Sequence, residues 1–206
     1  MRILPSGTTA FLVELDDLNE VLELYAALSE NPPNGVIDIV PAARTLLLVA
    51  DPAVTSLASV EDTVRATSPR QGRHDRGELV DIPVNYDGED LEEAATLLGC
   101  DAAELVRRHT TAEWAVAFCG FVPGFGYLTS RTWQFEVPRR SSPRKNVPTG
   151  SVALAGEFSG VYPRESPGGW QLIGRTRLAM FDPSRDPPAI LRPGIRIRFL
   201  DEGAQR

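Results

Sequence analysis

The apolar positions of the first third of the chain switch between extended and helical periods. Residues 10–15, Ala-Phe-Leu-Val-Glu-Leu, are a short run of β-favouring residues and predict a strand. Over residues 17–28, Leu18, Val21, Leu22, Tyr25 and Leu28 recur at helical spacing. Asp17 stands at the N-cap position and Glu20 three residues on, the pattern of a capping box. Asn31-Pro-Pro-Asn-Gly35 breaks the chain. Residues 36–40 alternate and 45–50 form a short apolar run, so both predict strands. Val54, Leu57, Val60 and Val64 mark a second amphipathic helix. The order β-α-β-β-α needs one more strand to make a ferredoxin-like split βαβ unit. Residues 79–84 are the next strand; they either close this unit or open another.

Residues 68–78 carry Pro, Gly and mixed charge with no apolar period and read as a linker. His74 lies there among Arg73, Asp75 and Arg76, as a solvated histidine. Beyond it, residues 91–98 predict a short helix stopped by Gly99. A second helix starts at Asp101, with Glu104 at the capping-box position, and ends near His109. From Trp114 onward, short runs of Val, Phe, Leu and Ile alternate with Gly and Pro turns, the texture of a β-barrel or sandwich. The expected organisation is therefore α+β over residues 1–77 and mainly β over 78–206.

The chain has 206 residues, 42% hydrophobic and 24% charged, as a globular protein does, and a formal net charge of −7. That acidity argues against nucleic acid or an anionic membrane as the main partner. No segment approaches the roughly 20 apolar residues of a membrane span, and the first residues do not form a signal peptide. A cytoplasmic location is expected. Cys100 and Cys119 are too few for a zinc site and are expected to be reduced and partly buried. His109 is the only serious histidine candidate, so no metal centre is expected. The sequence has no GxxxxGK[ST] phosphate loop, no GxSxG elbow and no Met-Lys pair to carry biotin.

Candidate chemistry is concentrated between residues 109 and 177. Gly120-Phe-Val-Pro-Gly-Phe-Gly-Tyr-Leu128 offers glycines for close backbone approach, with Phe121, Pro123, Gly124 and Phe125 as a pocket wall. A tight β-turn with both phenylalanines in the core fits the same residues. Pro138-Arg-Arg-Ser-Ser-Pro-Arg144 is a local positive site in an acidic chain. Its arginine forks suit carboxylate, carbamate or phosphate oxygens, and a solvated basic loop is the other reading. The third block is Val147-Pro-Thr-Gly-Ser-Val-Ala-Leu-Ala-Gly156. The fourth, Tyr162-Pro-Arg-Glu-Ser-Pro-Gly-Gly-Trp-Gln-Leu-Ile-Gly-Arg-Thr176, offers backbone N–H groups to an anion or is a hairpin turn beside a buried tryptophan.

Taken together, these four blocks resemble the family of 5-oxoprolinase B subunits, also called allophanate hydrolase subunit 1 or the KipI family. The likeness extends more weakly over the whole chain. The resemblance implies an N-terminal ferredoxin-like domain and a C-terminal cyclophilin-like barrel. It also implies a partner with a related barrel, of the 5-oxoprolinase C-type or allophanate hydrolase subunit 2 kind. A third component, of the 5-oxoprolinase A type, joins in the bacterial enzyme, where ATP hydrolysis drives opening of 5-oxoproline to glutamate. ATP would be a cosubstrate of the whole complex. By analogy the site lies in the barrel, with His109 as substrate ligand or proton carrier and Arg140 and Arg144 as anion clamps. Phe121, Pro123, Gly124 and Phe125 form one wall, and Gly168, Gly169 and Trp170 the opposite edge. Two alternatives stay open: a biotin-dependent urea carboxylase-type role, and a binding protein that inhibits a histidine kinase.

Overall fold

The computed structural model describes residues 1–70 and 77–204. The chain divides into two compact units, Met1–Arg73 and His74–Arg206. The expected boundary after residue 77 falls a few residues beyond this division, and His74 lies outside the described residues.

In the first unit, β1 (Arg2–Ser6), β2 (Ala10–Glu14), α1 (Leu18–Glu30), β3 (Val36–Pro41), β4 (Thr45–Ala50) and α2 (Leu57–Ala66) follow one another. The strands form one antiparallel sheet in the order β1-β2-β4-β3. α1 starts where its sequence signals place it: Asp17 Oδ1 accepts from the Glu20 N–H at 2.9 Å, and Glu20 Oε2 accepts from the Asp16 N–H at 3.1 Å. Its buried Val21, Leu24 and Leu28 pack with Phe11, Val13, Leu46 and Leu48 of the central strands and with Val60 and Val64 of α2. Val54 precedes α2 and is exposed rather than part of its apolar face. The fourth strand of the sheet is β1, at the edge; residues 79–84 belong to the second unit instead. Pro5 can occupy β1 because an edge strand tolerates a residue without an N–H donor.

The second unit contains β5 (Leu79–Val84), α3 (Leu91–Leu97), α4 (Ala102–Thr111), β6 (Trp114–Cys119), β7 (Gly126–Thr129) and β8 (Arg144–Val147). These are followed by β9 (Ser151–Ala155), β10 (Phe158–Val161), β11 (Ser166–Gly168), β12 (Gln171–Arg175) and β13 (Arg196–Asp201). Seven strands form one sheet in the order β12-β9-β10-β7-β6-β13-β5. Its two edges meet at Asn85 and Arg175, which exchange both backbone hydrogen bonds at 2.9 Å. The result is a nearly closed, barrel-like sheet, and the unit is mainly β. α4 runs two residues past His109, to Thr111.

β9 is buried along its whole length, and its alternation separates two clusters. Val152 and Leu154 join Ile82, Val84, Trp114, Leu128, Ile173 and Phe199. Ala153 and Ala155 face a smaller aromatic cluster of Phe125, Tyr162 and Trp170 with Val147 and Leu172. The motif blocks converge on this second cluster. The two cysteines are free and partly buried.

Candidate functional site

The glycine- and aromatic-rich block 120–128 connects β6 to β7 through a tight turn. The Phe125 N–H donates to Val122 O at 3.0 Å, and the Val122 N–H to Gly120 O at 2.8 Å. The turn requires left-handed backbone at Phe121 (φ 66°) and at Gly124 (φ 85°). A Cβ on Gly124 would also lie 2.6 Å from Cβ of Phe181. The two phenylalanines separate. Phe125 is buried, edge-on to Tyr162 and Trp170 with both ring centroids at 5.4 Å. Phe121 is 54% exposed although it is large and apolar, and its ring stands 6.2 Å from that of Tyr162. The core reading of this turn therefore describes Phe125 and not Phe121. Pro123 is exposed.

The basic block 138–144 is organised by a residue that sequence reasoning passed over. Asp90, just before α3, has a nearly inaccessible carboxylate. Its Oδ1 accepts from Arg140 Nη1 at 2.6 Å and from Arg144 Nη2 at 2.7 Å, while its Oδ2 accepts from the Leu172 N–H at 2.8 Å. Exposed Glu89 takes a further contact from Arg144 at 3.2 Å. Both forks expected as anion clamps thus already grip a carboxylate of the chain itself. Arg140 Nε and Arg144 Nη1 are buried without an acceptor among the described residues. Burial alone would raise the Asp90 pKa. Hydrogen bonds from Arg144 and the Leu172 amide, with the charges of Arg144 and Arg140, outweigh it and hold the carboxyl below its usual range. Arg139, the remaining arginine of the block, is exposed and makes no ion pair among the described residues. Its charge reaches the hydroxyls of Tyr127 and Tyr162.

His109 is fully buried in the other cluster, with its ring centroid 4.3 Å from that of Phe199. Nδ1 lies 2.7 Å from the Tyr86 hydroxyl and Nε2 lies 2.9 Å from the Ser159 hydroxyl. Either hydroxyl can donate or accept, so both ring nitrogens of the neutral imidazole are satisfied in either tautomer. Its backbone carbonyl accepts from Trp114 Nε1 at 2.9 Å. Burial pushes the His109 pKa down to about 3. The structure does not bring His109 to the aromatic cluster; it seats the ring between α4 and the sheet as a neutral packing group.

The turn after β11 completes the cluster. β8 and β11 pair so that Gly168 lies opposite Arg144, and the Arg140 N–H donates to Gly169 O at 2.9 Å. A Cβ on Gly168 would lie 2.2 Å from the Tyr162 hydroxyl oxygen, so only glycine fits there. Trp170 is buried against Phe125 and Tyr127. Phe121, Phe125, Gly168, Gly169, Trp170, Arg140 and Arg144 therefore assemble around Tyr162, and His109 does not. Asp90, Arg139, Tyr127 and Tyr162 are the members not singled out from sequence. Tyr162 opened a motif block, which was the available signal. Burial pushes its pKa up to about 12, against the opposing charges of Arg139 and Arg144.

Residues 1–191 match the carboxyltransferase domain, subdomain C and D, and the chain belongs to that family. It is 36% identical to the B subunit of 5-oxoprolinase from Escherichia coli O157:H7, over 95% of this chain and 94% of that one. It is also 36% identical to the B subunit of 5-oxoprolinase from Bacillus subtilis strain 168, over 90% of this chain and 84% of that one. Among solved structures, TTHA0988 superposes with a TM-score of 0.76 at 36% identity, covering 93% of this chain. The chain spans only 39% of the length of TTHA0988. The urea carboxylase of Kluyveromyces lactis superposes with a TM-score of 0.70 at 16% identity, covering 98% of this chain and 22% of that one. At that identity the likeness shows the fold alone.

Proposed function

We propose that this chain is a B-type subunit of an ATP-dependent 5-oxoprolinase complex, which opens 5-oxoproline to glutamate. The observation that carries this reading is the 36% identity to a 5-oxoprolinase B subunit, extending over nearly the full length of both chains. In the same reading the first unit is ferredoxin-like and the second cyclophilin-like. The chain acts with a second barrel protein of the C type and a third component of the A type, and is inactive alone.

The chemistry explains the need for ATP. A lactam carbonyl is a poor electrophile, and phosphorylation of its oxygen activates it for attack by water. Stabilising the charge on such an intermediate calls for fixed donors in a site shielded from water. The region around Tyr162 brings arginine charge, backbone amides and aromatic surface to one part of the barrel unit. Arg140 and Arg144, held by Asp90, define the loop. Arg139 offers the free guanidinium, and Phe121 offers an exposed aromatic face. ATP binding belongs to the assembled complex.

A strain lacking the gene for this chain tests the reading. It should accumulate 5-oxoproline and lose that phenotype when the gene is restored. Undiminished 5-oxoproline consumption in the deletion strain, with no other 5-oxoprolinase present, would exclude it.

A further inference from the structure

We propose that the Tyr162 hydroxyl is a substrate-binding group, donating a hydrogen bond to an oxygen of a small, planar, anionic amide at the seam between the Gly168-Gly169 turn and the arginine loop. The inference rests on the functional reading above and adds to it a residue and a ligand class.

Three independent features converge on this hydroxyl. The first is its lack of a partner. Tyr162 is 2% exposed and its ring is wedged against Phe125, yet the hydroxyl makes no hydrogen bond among the described residues. The hydroxyls of Tyr86 and Ser159, by contrast, are both paired to His109. The hydroxyl of Tyr162 is not among the unpartnered polar atoms sealed from solvent, so it stands at the open end of an otherwise buried ring, where an incoming group can reach it. The second feature is Gly168. It is only partly buried and turns its bare backbone directly onto the hydroxyl, leaving no room for a methyl group. A side chain there would block the approach. The third is what surrounds the seam. Arg144 stands opposite Gly168, and Arg139 is free of any carboxylate among the described residues. Exposed Phe121 is held beside the ring by a left-handed backbone that a non-glycine residue adopts only at a cost.

Each feature selects a property of the ligand. Burial keeps the phenol protonated across the physiological range, so the hydroxyl is available as a donor and seeks an acceptor oxygen. Arginine charge favours a carboxylate elsewhere on the ligand. An exposed ring favours a flat one. A five-membered lactam acid such as 5-oxoproline has all three properties. No bond to Tyr162 forms or breaks in this role.

The test is Tyr162→Phe in the complete complex of this chain with its partner subunits. Tryptophan fluorescence and size exclusion confirm fold and assembly. 5-Oxoproline binding is measured by saturation-transfer NMR or calorimetry, and turnover beside it. The expected result is affinity or kcat/KM reduced about 10- to 100-fold, the scale of one hydrogen bond to a charged or activated oxygen. Gly168→Ala, which sets a methyl against the hydroxyl, should reproduce the loss and serves if Tyr162→Phe does not fold. If the wild-type complex binds 5-oxoproline and Tyr162→Phe binds more weakly, but neither turns it over, the functional reading fails and the site assignment stands. Equal binding and turnover in wild type and Tyr162→Phe, or no binding by the wild-type complex, overturns the assignment.

Discussion

Replacing Asp90 with asparagine removes one charge and little volume, and it isolates the feature that holds the arginine loop. The Asp90 carboxylate accepts three hydrogen bonds, two from guanidinium groups and one from the Leu172 amide. A hydrogen bond to a charged group contributes about 1.5–3 kcal/mol, and breaking a buried ion pair costs about 3–5 kcal/mol. Arg140 and Arg144 keep 28% and 16% of their side-chain surface in water, so the released cations recover part of their hydration. The asparagine carbonyl also retains one acceptor. The expected loss is therefore about 2–4 kcal/mol. All three tryptophans, Trp114, Trp133 and Trp170, lie in the second unit, so their fluorescence reports its unfolding selectively. With a urea slope of about 2 kcal/mol/M, the midpoint should fall by about 1–2 M at pH 7.

The pH dependence gives a second handle on the same pair. The folded Asp90 pKa lies below its unfolded value of about 3.9. Its stabilisation is thus complete above that value and is lost as pH falls through the folded pKa. The gap between wild type and Asp90→Asn should stay constant from about pH 8 to 5 and narrow below about pH 4. A midpoint shift under about 0.3 M at pH 7 would show that the arginine loop does not depend on Asp90.

Two further outcomes follow from the same geometry. His109 is neutral in the folded protein down to about pH 3, whereas its unfolded pKa is about 6.5, so the unfolded state binds the extra proton between these values. Second-unit stability should fall by up to about 1.4 kcal/mol per pH unit below pH 6, and His109→Gln should flatten that slope in urea titrations. At Phe121 the left-handed backbone reverses the usual order of glycine and alanine. Phe121→Gly should be more stable than Phe121→Ala by about 1 kcal/mol, read from thermal or urea midpoints, and the opposite order would contradict the turn geometry.

Much of the local structure was legible in the sequence because its signals are short-range. Asp17 with Glu20 and Asp101 with Glu104 marked two helix starts, and both aspartates accept the expected amide hydrogen bonds. Gly99 stops its helix in the left-handed region. β1 escaped detection because Pro5 interrupts a five-residue strand, and a proline there is compatible only with an edge that the sequence cannot identify. Whether residues 79–84 closed the first unit or opened the second was equally undecided, since a strand's partners are set by the sheet. The site shows the same limit. Motif spacing grouped the glycines, arginines and aromatics, but Asp90 lies 50 residues from Arg140 and 54 from Arg144. Only the closed sheet brings that carboxylate to the loop. His109 looked available from its sequence context. Two hydroxyls, one of them 50 residues away on Ser159, occupy its ring nitrogens instead.

As one part of a 5-oxoprolinase, this chain should be indispensable to lactam opening. The most direct test is turnover by a complex reconstituted from purified subunits, with glutamate and ADP measured together. ATP-dependent glutamate formation is expected when this chain and its partner subunits are all present, and none when this chain is omitted or assayed alone. Undiminished turnover without this chain, or 5-oxoproline opening by this chain alone, would contradict this role.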